Sequence, residues 1–187
     1  MSDFFKFIQQ WAAAPLQVAA IAPSGRRLAE LMTQGLDENS GPIIELGPGT
    51  GVFTRAMIEI GIPEEQIAMF ELNTEFAEEL QNQFPKAQVY NMSAAELEGK
   101  ALFDVPVTSV LSGLGFLSMP RRLVDDIVRG AFSQLKQGGD FVQFTYGPKC
   151  PVPASIREDQ GLDYERVGGT MLNLPPASVY RLTKRDV

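Results

Sequence analysis

Apolar residues in this chain fall in short runs separated by stretches with helical spacing. Ile43 to Leu46, Ile67 to Leu72, Ala87 to Tyr90, Val107 to Leu111 and Asp140 to Tyr146 read as strands. Helical periodicity covers 26–34, before the first strand, and 52–60, 75–84 and 121–136 between the others. Ser24 and Thr74 stand where N-caps belong, Pro85 closes the helix that follows Thr74, and Gly138-Gly139 stops the helix over 121–136. Strands that alternate with helices pair in parallel and are covered on both faces. The tail has a different period. Leu162 to Val167 and Ser178 to Thr183 alternate apolar and polar positions around Gly168-Gly169 and Pro175-Pro176, which predicts an antiparallel pair added to the sheet. The expectation is a doubly wound, mostly parallel α/β domain spanning 1–187, with N-terminal helices over 1–36, a core over 37–150 and antiparallel strands over 151–187.

Composition narrows the chemistry. The chain has no histidine, which removes serine–histidine hydrolysis, histidine zinc sites and imidazole bases, and no metal is expected. Its single cysteine, Cys150, cannot close an internal disulfide. No stretch is long and apolar enough to span a bilayer and no secretory pattern opens the chain, so a cytoplasmic location is expected. Formal charge is −7, which works against a nucleic-acid partner. Residues 37–98 hold twelve acidic and two basic side chains, most simply a solvated surface.

Between the first strand and its helix lies Glu45-Leu46-Gly47-Pro48-Gly49-Thr50-Gly51. Glycines here let the backbone turn sharply and approach a ligand. A dinucleotide fingerprint would need glycine where Val52 stands, and a phosphate-cradling P-loop would need a Gly-Lys-Ser/Thr ending that is absent. Glu71 ends the next strand, where a carboxylate can accept hydrogen bonds from both hydroxyls of a ribose.

Glu45 to Gly51 together with Glu71 resembles the cofactor signature of class I S-adenosylmethionine (SAM)-dependent methyltransferases. The resemblance implies a seven-stranded sheet with an antiparallel last strand. Gly47, Pro48, Gly49, Thr50 and Gly51 would pack under the methionine part of SAM, and Glu71 with Leu72 would hold the ribose side. Ser93-Ala94 falls where relatives carry an acid near the adenine, and Ser112 lies at the end of the fourth strand beside the cofactor. Ala22 to Arg26, Ser112 to Pro120, Phe144 to Pro148 and Leu174 to Tyr180 resemble the bacterial phospholipid N-methyltransferases, which carry phosphatidylethanolamine toward phosphatidylcholine. The chain departs from that family at Gly25, Ser93 and Gly115. An ornithine-lipid amine, an rRNA adenine, and a SAM-binding, membrane-docking role without catalysis stand as alternatives.

For an amine acceptor, Tyr146 would line the catalytic site, and Tyr180 would add to an aromatic wall for the ammonium. Arg181, Lys149 and Arg26 are the cations available for a lipid phosphate. Residues 109–119 lack the Asn or Asp whose oxygens often bind the target nitrogen in amino-methyltransferases, which argues against a nucleobase target. Phe4, Phe5, Ile8 and Trp11 give the segment 3–14 an aromatic helical face, suited to covering the cofactor or docking at a membrane interface, peripheral to the lipid substrate.

Overall fold

A computed structural model describes residues 23–171 and 176–185. The aromatic helix expected over 3–14, with Phe4, Phe5, Ile8 and Trp11, lies outside the described residues. Helix α1 (Pro23–Met32) leads into β1 (Ile43–Leu46), α2 (Val52–Glu59), β2 (Ile67–Phe70), α3 (Thr74–Gln83) and β3 (Gln88–Tyr90). Then come β4 (Val107–Ser112), α4 (Arg121–Gln134), β5 (Leu135–Tyr146), the short α5 (Ala154–Asp159), β6 (Leu162–Thr170) and β7 (Ala177–Lys184).

The sheet order is β3-β2-β1-β4-β5-β7-β6. β1 through β5 pair in parallel, and β7 runs antiparallel to both of its neighbours, as the alternating tail predicted. Two apolar clusters cover the two faces. Ile44 and Leu46 of β1, Val110 and Phe141 pack with Val128 of α4 and Ile156 of α5. Ile43, Leu111 and Val142 pack on the other face with Leu28 of α1, Phe53 and Met57 of α2 and Leu80 of α3. Full burial of such side chains is worth roughly 2 kcal/mol each. In β1 and β2 every position is buried, the pattern of central parallel strands covered on both sides.

Several boundaries differ from the sequence reading. α1 starts at Pro23, so Ser24 lies inside its first turn, because proline's fixed φ suits a helix start. Asn73, not Thr74, caps α3 by accepting from the Phe76 N–H at 3.0 Å. α4 ends at Gln134 and the chain enters β5 at once, with Gly138 and Gly139 inside a register shift against β4. β6 likewise runs through Gly168 and Gly169, where a bulge after Arg166 absorbs them.

Candidate cofactor and acceptor site

The strand order reverses between β1 and β4, and the crevice outside the carboxyl ends of such strands is where open α/β sheets bind ligands. The glycine loop follows β1, and the loop from Gly113 to Pro120 follows β4, so the two flank that crevice. They are bound together. The Gly113 N–H donates to the Leu46 carbonyl at 2.8 Å, and the Gly47 N–H to the Phe70 carbonyl at 2.9 Å. A Cβ on Gly113 would stand 2.6 Å from the Gly47 carbonyl oxygen, and one on Gly47 would stand 2.6 Å from the Leu114 side chain. Gly47, Gly49 and Gly51 all have positive φ, so the loop needs glycine at each for its backbone alone.

Glu71 directly follows β2 and is buried. One carboxylate oxygen accepts from the Gly49 N–H at 3.1 Å and the other from the Asn73 N–H at 2.9 Å. A carboxylate has lone pairs beyond those, so it can still take ribose hydroxyls while fixing the loop. The Asn91 amide donates to the Glu71 and Leu72 carbonyls at 2.9 and 3.2 Å. Leu72 projects at 73% exposure, an apolar surface beside Glu71. Ser93 caps the turn Ala94–Glu96, and Ala94 is buried beneath it.

Glu45 is fully buried under α2, and the Thr54 hydroxyl donates to it at 2.5 Å. Burial pushes its carboxyl up to about 7 against the opposing pull of the Thr54 hydrogen bond and of Arg55. The other Glu45 oxygen and the Thr50 hydroxyl are buried with no hydrogen-bond partner among the described residues. Orphaned polar atoms around a loop of positive-φ glycines are what a polar ligand would satisfy, so the residues fit SAM.

The ends of β4 and β5 and the start of β7 meet on the other side of the crevice. Ser112 pairs with Gln143, and Gln143 with Tyr180. The buried Gln143 amide donates to the Leu114 carbonyl at 2.9 Å and so anchors the loop after β4. Tyr146 ends β5 and stacks edge-on against Phe144, which meets Phe53 at the start of α2. Burial holds its hydroxyl up at about 12, so it stays protonated.

Two sequence expectations are corrected. Tyr180 does not line an aromatic wall. It is 3% exposed in the α4 and α5 cluster, and its hydroxyl donates to the Pro148 carbonyl at 2.6 Å. The ring against Tyr146 is that of Phe144, which in turn meets Phe53. Arg181 is not a free phosphate cation. It pairs with Asp140 at 2.8 Å and Glu165 at 2.9 Å and donates to the Gln34 carbonyl at 2.6 Å. Arg26 lies exposed on α1 near Glu30, and Lys149 is exposed in the loop after β5, at the carboxyl edge. Sequence reading assigned no individual role to Gly113, Asn73, Asn91 or Gln143. Only the glycine carries a local signal, since the polar three act through strand-end placement. A shallow hollow lined by Lys100, Phe103 and Gln134 lies at the opposite end of β4.

No family model matches the sequence. The chain is 28% identical over 156 residues to the ornithine lipid N-methyltransferase of Singulisphaera acidiphila, covering 79% of this chain and 80% of that protein. Among solved structures, it superposes with TM-score 0.66 on magnesium protoporphyrin IX methyltransferase from Synechocystis PCC 6803 with bound SAM, at 9% identity over 99% of each chain. An rRNA methylase from Streptococcus thermophilus gives TM-score 0.61 at 12% identity, over 89% of this chain and 99% of that one. At such identities the structures speak for the fold alone, and the fold of this chain is that of the class I SAM-dependent methyltransferases.

Proposed function

We propose that this protein transfers the methyl group of SAM to the amine nitrogen of a membrane-lipid headgroup, phosphatidylethanolamine first, with the ornithine-lipid amine as the second reading. One observation carries the amine. Among the described residues, the ends of β4 and β5 present no carboxylate or imidazole to take a proton, and Tyr146 stays protonated with its hydroxyl at about 12. An oxygen or carbon acceptor would need such a base, whereas an amine brings its own lone pair once neutral. A partly dehydrated crevice favours that neutral form.

When bound, SAM supplies an electrophilic methyl on a sulfonium. The protein's work is then positioning. Glu71 and the glycine loop fix the donor end. Gln143 and Ser112 hold the loop that faces it, and Tyr146 and Phe144 offer ring faces to an ammonium. The lipid rests on the S. acidiphila relative, with which the match runs over most of both chains. Leu117 and Met171, 59% and 83% exposed on loops at the same carboxyl edge, give an apolar rim on which acyl chains can lie. Lys149, on the neighbouring loop, suits an anionic surface. Among the described residues no helix is long and apolar enough to cross a membrane. An rRNA acceptor finds no such support, because net charge −7 opposes a phosphate backbone.

The test is incubation of the full chain with radiolabelled SAM and vesicles of mixed lipids, followed by chromatography. Label in mono-, di- or trimethylated phosphatidylethanolamine is expected. Label confined to ornithine lipid selects the second reading, and label only in added RNA overturns the proposal.

A further inference from the structure

Residues 37–98 hold twelve acidic side chains and two basic ones, Arg55 and Lys86. Lys86 takes an acid, Glu65, at 3.1 Å. Arg55 has no acidic partner at ion-pair distance among the described residues, although Glu59 stands four positions on along α2, the spacing at which helical ion pairs form. Its guanidinium turns back past the start of α2 instead. One terminal nitrogen donates to the Thr50 carbonyl at 2.8 Å and the other to the Gln83 side-chain oxygen at 2.7 Å. Both acceptors are neutral. Arg55 also lies in the first turn of α2, where the helix dipole disfavours a cation. A cation placed there without an acid is explained by what its two acceptors do.

Thr50 stands between Gly49 and Gly51, both at positive φ. The peptide joining Thr50 to Gly51 is held on both sides. Its N–H donates to the Pro48 carbonyl at 2.9 Å, and its carbonyl takes the Arg55 guanidinium. Thr50 also carries the buried hydroxyl that lacks a partner among the described residues, so Arg55 fixes the residue that offers it. Gln83 is the last residue of α3, and Phe84 after it closes on the same loop: a Cβ on Gly51 would stand 2.6 Å from the Phe84 ring. Both ends of α3 therefore brace the loop. At its start Asn73 shares the Glu71 carboxylate with Gly49, and at its close Gln83 reaches Thr50 through Arg55. Three glycines among residues 47–51 make this backbone costly to order. A planar guanidinium fork serves two acceptors at once, which a lysine ammonium does with less preorganisation.

We propose that Arg55 is a positioning residue for the cofactor, whose guanidinium clamps the Thr50–Gly51 peptide to the end of α3 and so sets the glycine loop in its receiving form before SAM binds. Both of its side-chain hydrogen bonds go to the protein, and it acts on the cofactor through the loop. The proposal rests on the SAM reading and is independent of which amine accepts the methyl group.

Two measurements on the full chain test it. The first needs no cofactor. Exchange of the Gly51 amide, followed by NMR in the ligand-free protein, should be roughly tenfold faster in Arg55→Ala, while the amides of Val110 and Phe141 in the central strands keep their wild-type rates. The second is calorimetric binding of SAM without an acceptor. Arg55→Ala should weaken it roughly tenfold, and Arg55→Lys should recover part of the loss because it keeps the charge without the fork. Gln83→Ala should weaken it about threefold, and no further once residue 55 is alanine, because one clamp carries both effects. Gly51 exchange and SAM affinity both within about twofold of wild type in Arg55→Ala overturn the clamp while the SAM reading stands. Faster exchange at unchanged SAM affinity makes Arg55 a tie of the fold and overturns its role toward the cofactor. Losses that add in the double variant overturn the route through α3. A wild-type chain that shows the exchange difference yet binds no SAM sinks the SAM reading itself, and the role proposed for Arg55 with it.

Discussion

Around Glu71 the polar groups already satisfy one another. Its carboxylate takes the Gly49 and Asn73 N–H groups, and the Asn91 amide takes the two carbonyls beside it. Around Thr145, on the far side of the switch point, they do not. Among the described residues the Thr145 hydroxyl and the Gln143 side-chain oxygen are buried without partners, and the Ser112 hydroxyl holds a long 3.4 Å contact from the Leu114 N–H. The Glu71 carboxylate is thus set before any ligand arrives, although under the glycine loop a Glu45 oxygen and the Thr50 hydroxyl are buried without a partner among the described residues. The second holds unpaired groups that a polar ligand can satisfy, and a site of that kind rejects ligands that leave them unpaired. On the proposed function, the first end holds the donor and the second chooses the acceptor.

The largest expected effect breaks the rigid end. Glu71→Ala strands the Gly49 and Asn73 N–H groups and removes the ribose acceptor, so affinity for S-adenosylhomocysteine should fall on the order of 100-fold, about 3 kcal/mol, measured by calorimetry. Tyr146→Phe, at the other end, should leave that affinity within about twofold. A loss of less than about threefold in Glu71→Ala would dissolve the contrast.

Glu45 sharpens it through pH. Its carboxyl is raised from 4.5 to about 7 by burial, so the folded protein holds this proton over a range in which the unfolded chain has lost it. Stability from this group is therefore full below about pH 4.5 and falls as pH rises to about 7, by up to about 3 kcal/mol. Glu45→Gln removes that slope and should make the ligand-free protein more stable at pH 8 by on the order of 2 kcal/mol in denaturant unfolding. Cofactor affinity should drop about tenfold in the same variant, because a buried acceptor under the loop has been exchanged for an amide. Stability that rises while affinity falls marks a residue kept for the ligand.

The two ends also differ in how far the sequence discloses them. The donor end sits within one strand–loop–helix–strand, so Gly47, Gly49, Gly51 and Glu71 are legible from local spacing, and the parallel sheet with its antiparallel tail follows from periodicity. The acceptor end joins β4, β5, β6 and β7, and no short spacing encodes which residue lies opposite which. Tyr180 reads as a site tyrosine until the register places it inside the α4 and α5 cluster under Pro148. Arg166 reads as one charge in an alternating strand until the register sets it opposite Tyr180, with its guanidinium on the Ser178 hydroxyl. Helix ends were missed for a further reason, that α4 passes into β5 without a loop for any turn residue to mark.

Arg181 provides the smallest and most selective test. It is adjacent to Arg166 across the sheet, since Glu165 is its register partner, yet its guanidinium spans Asp140, Glu165 and the Gln34 carbonyl and so ties β5, β6 and the segment after α1. Its side chain and that of Asp140 are 23% and 21% exposed, so the pair is only partly screened. Arg181→Ala should cost about 1 to 2 kcal/mol in denaturant unfolding, between the exposed and buried extremes for ion pairs. Lipid KM should stay unchanged below the unfolding transition. If instead Arg181→Ala raised KM at unaltered stability, Arg181 would be the headgroup's cation after all. An unchanged KM would leave Arg181 as a tie between β5, β6 and the segment after α1.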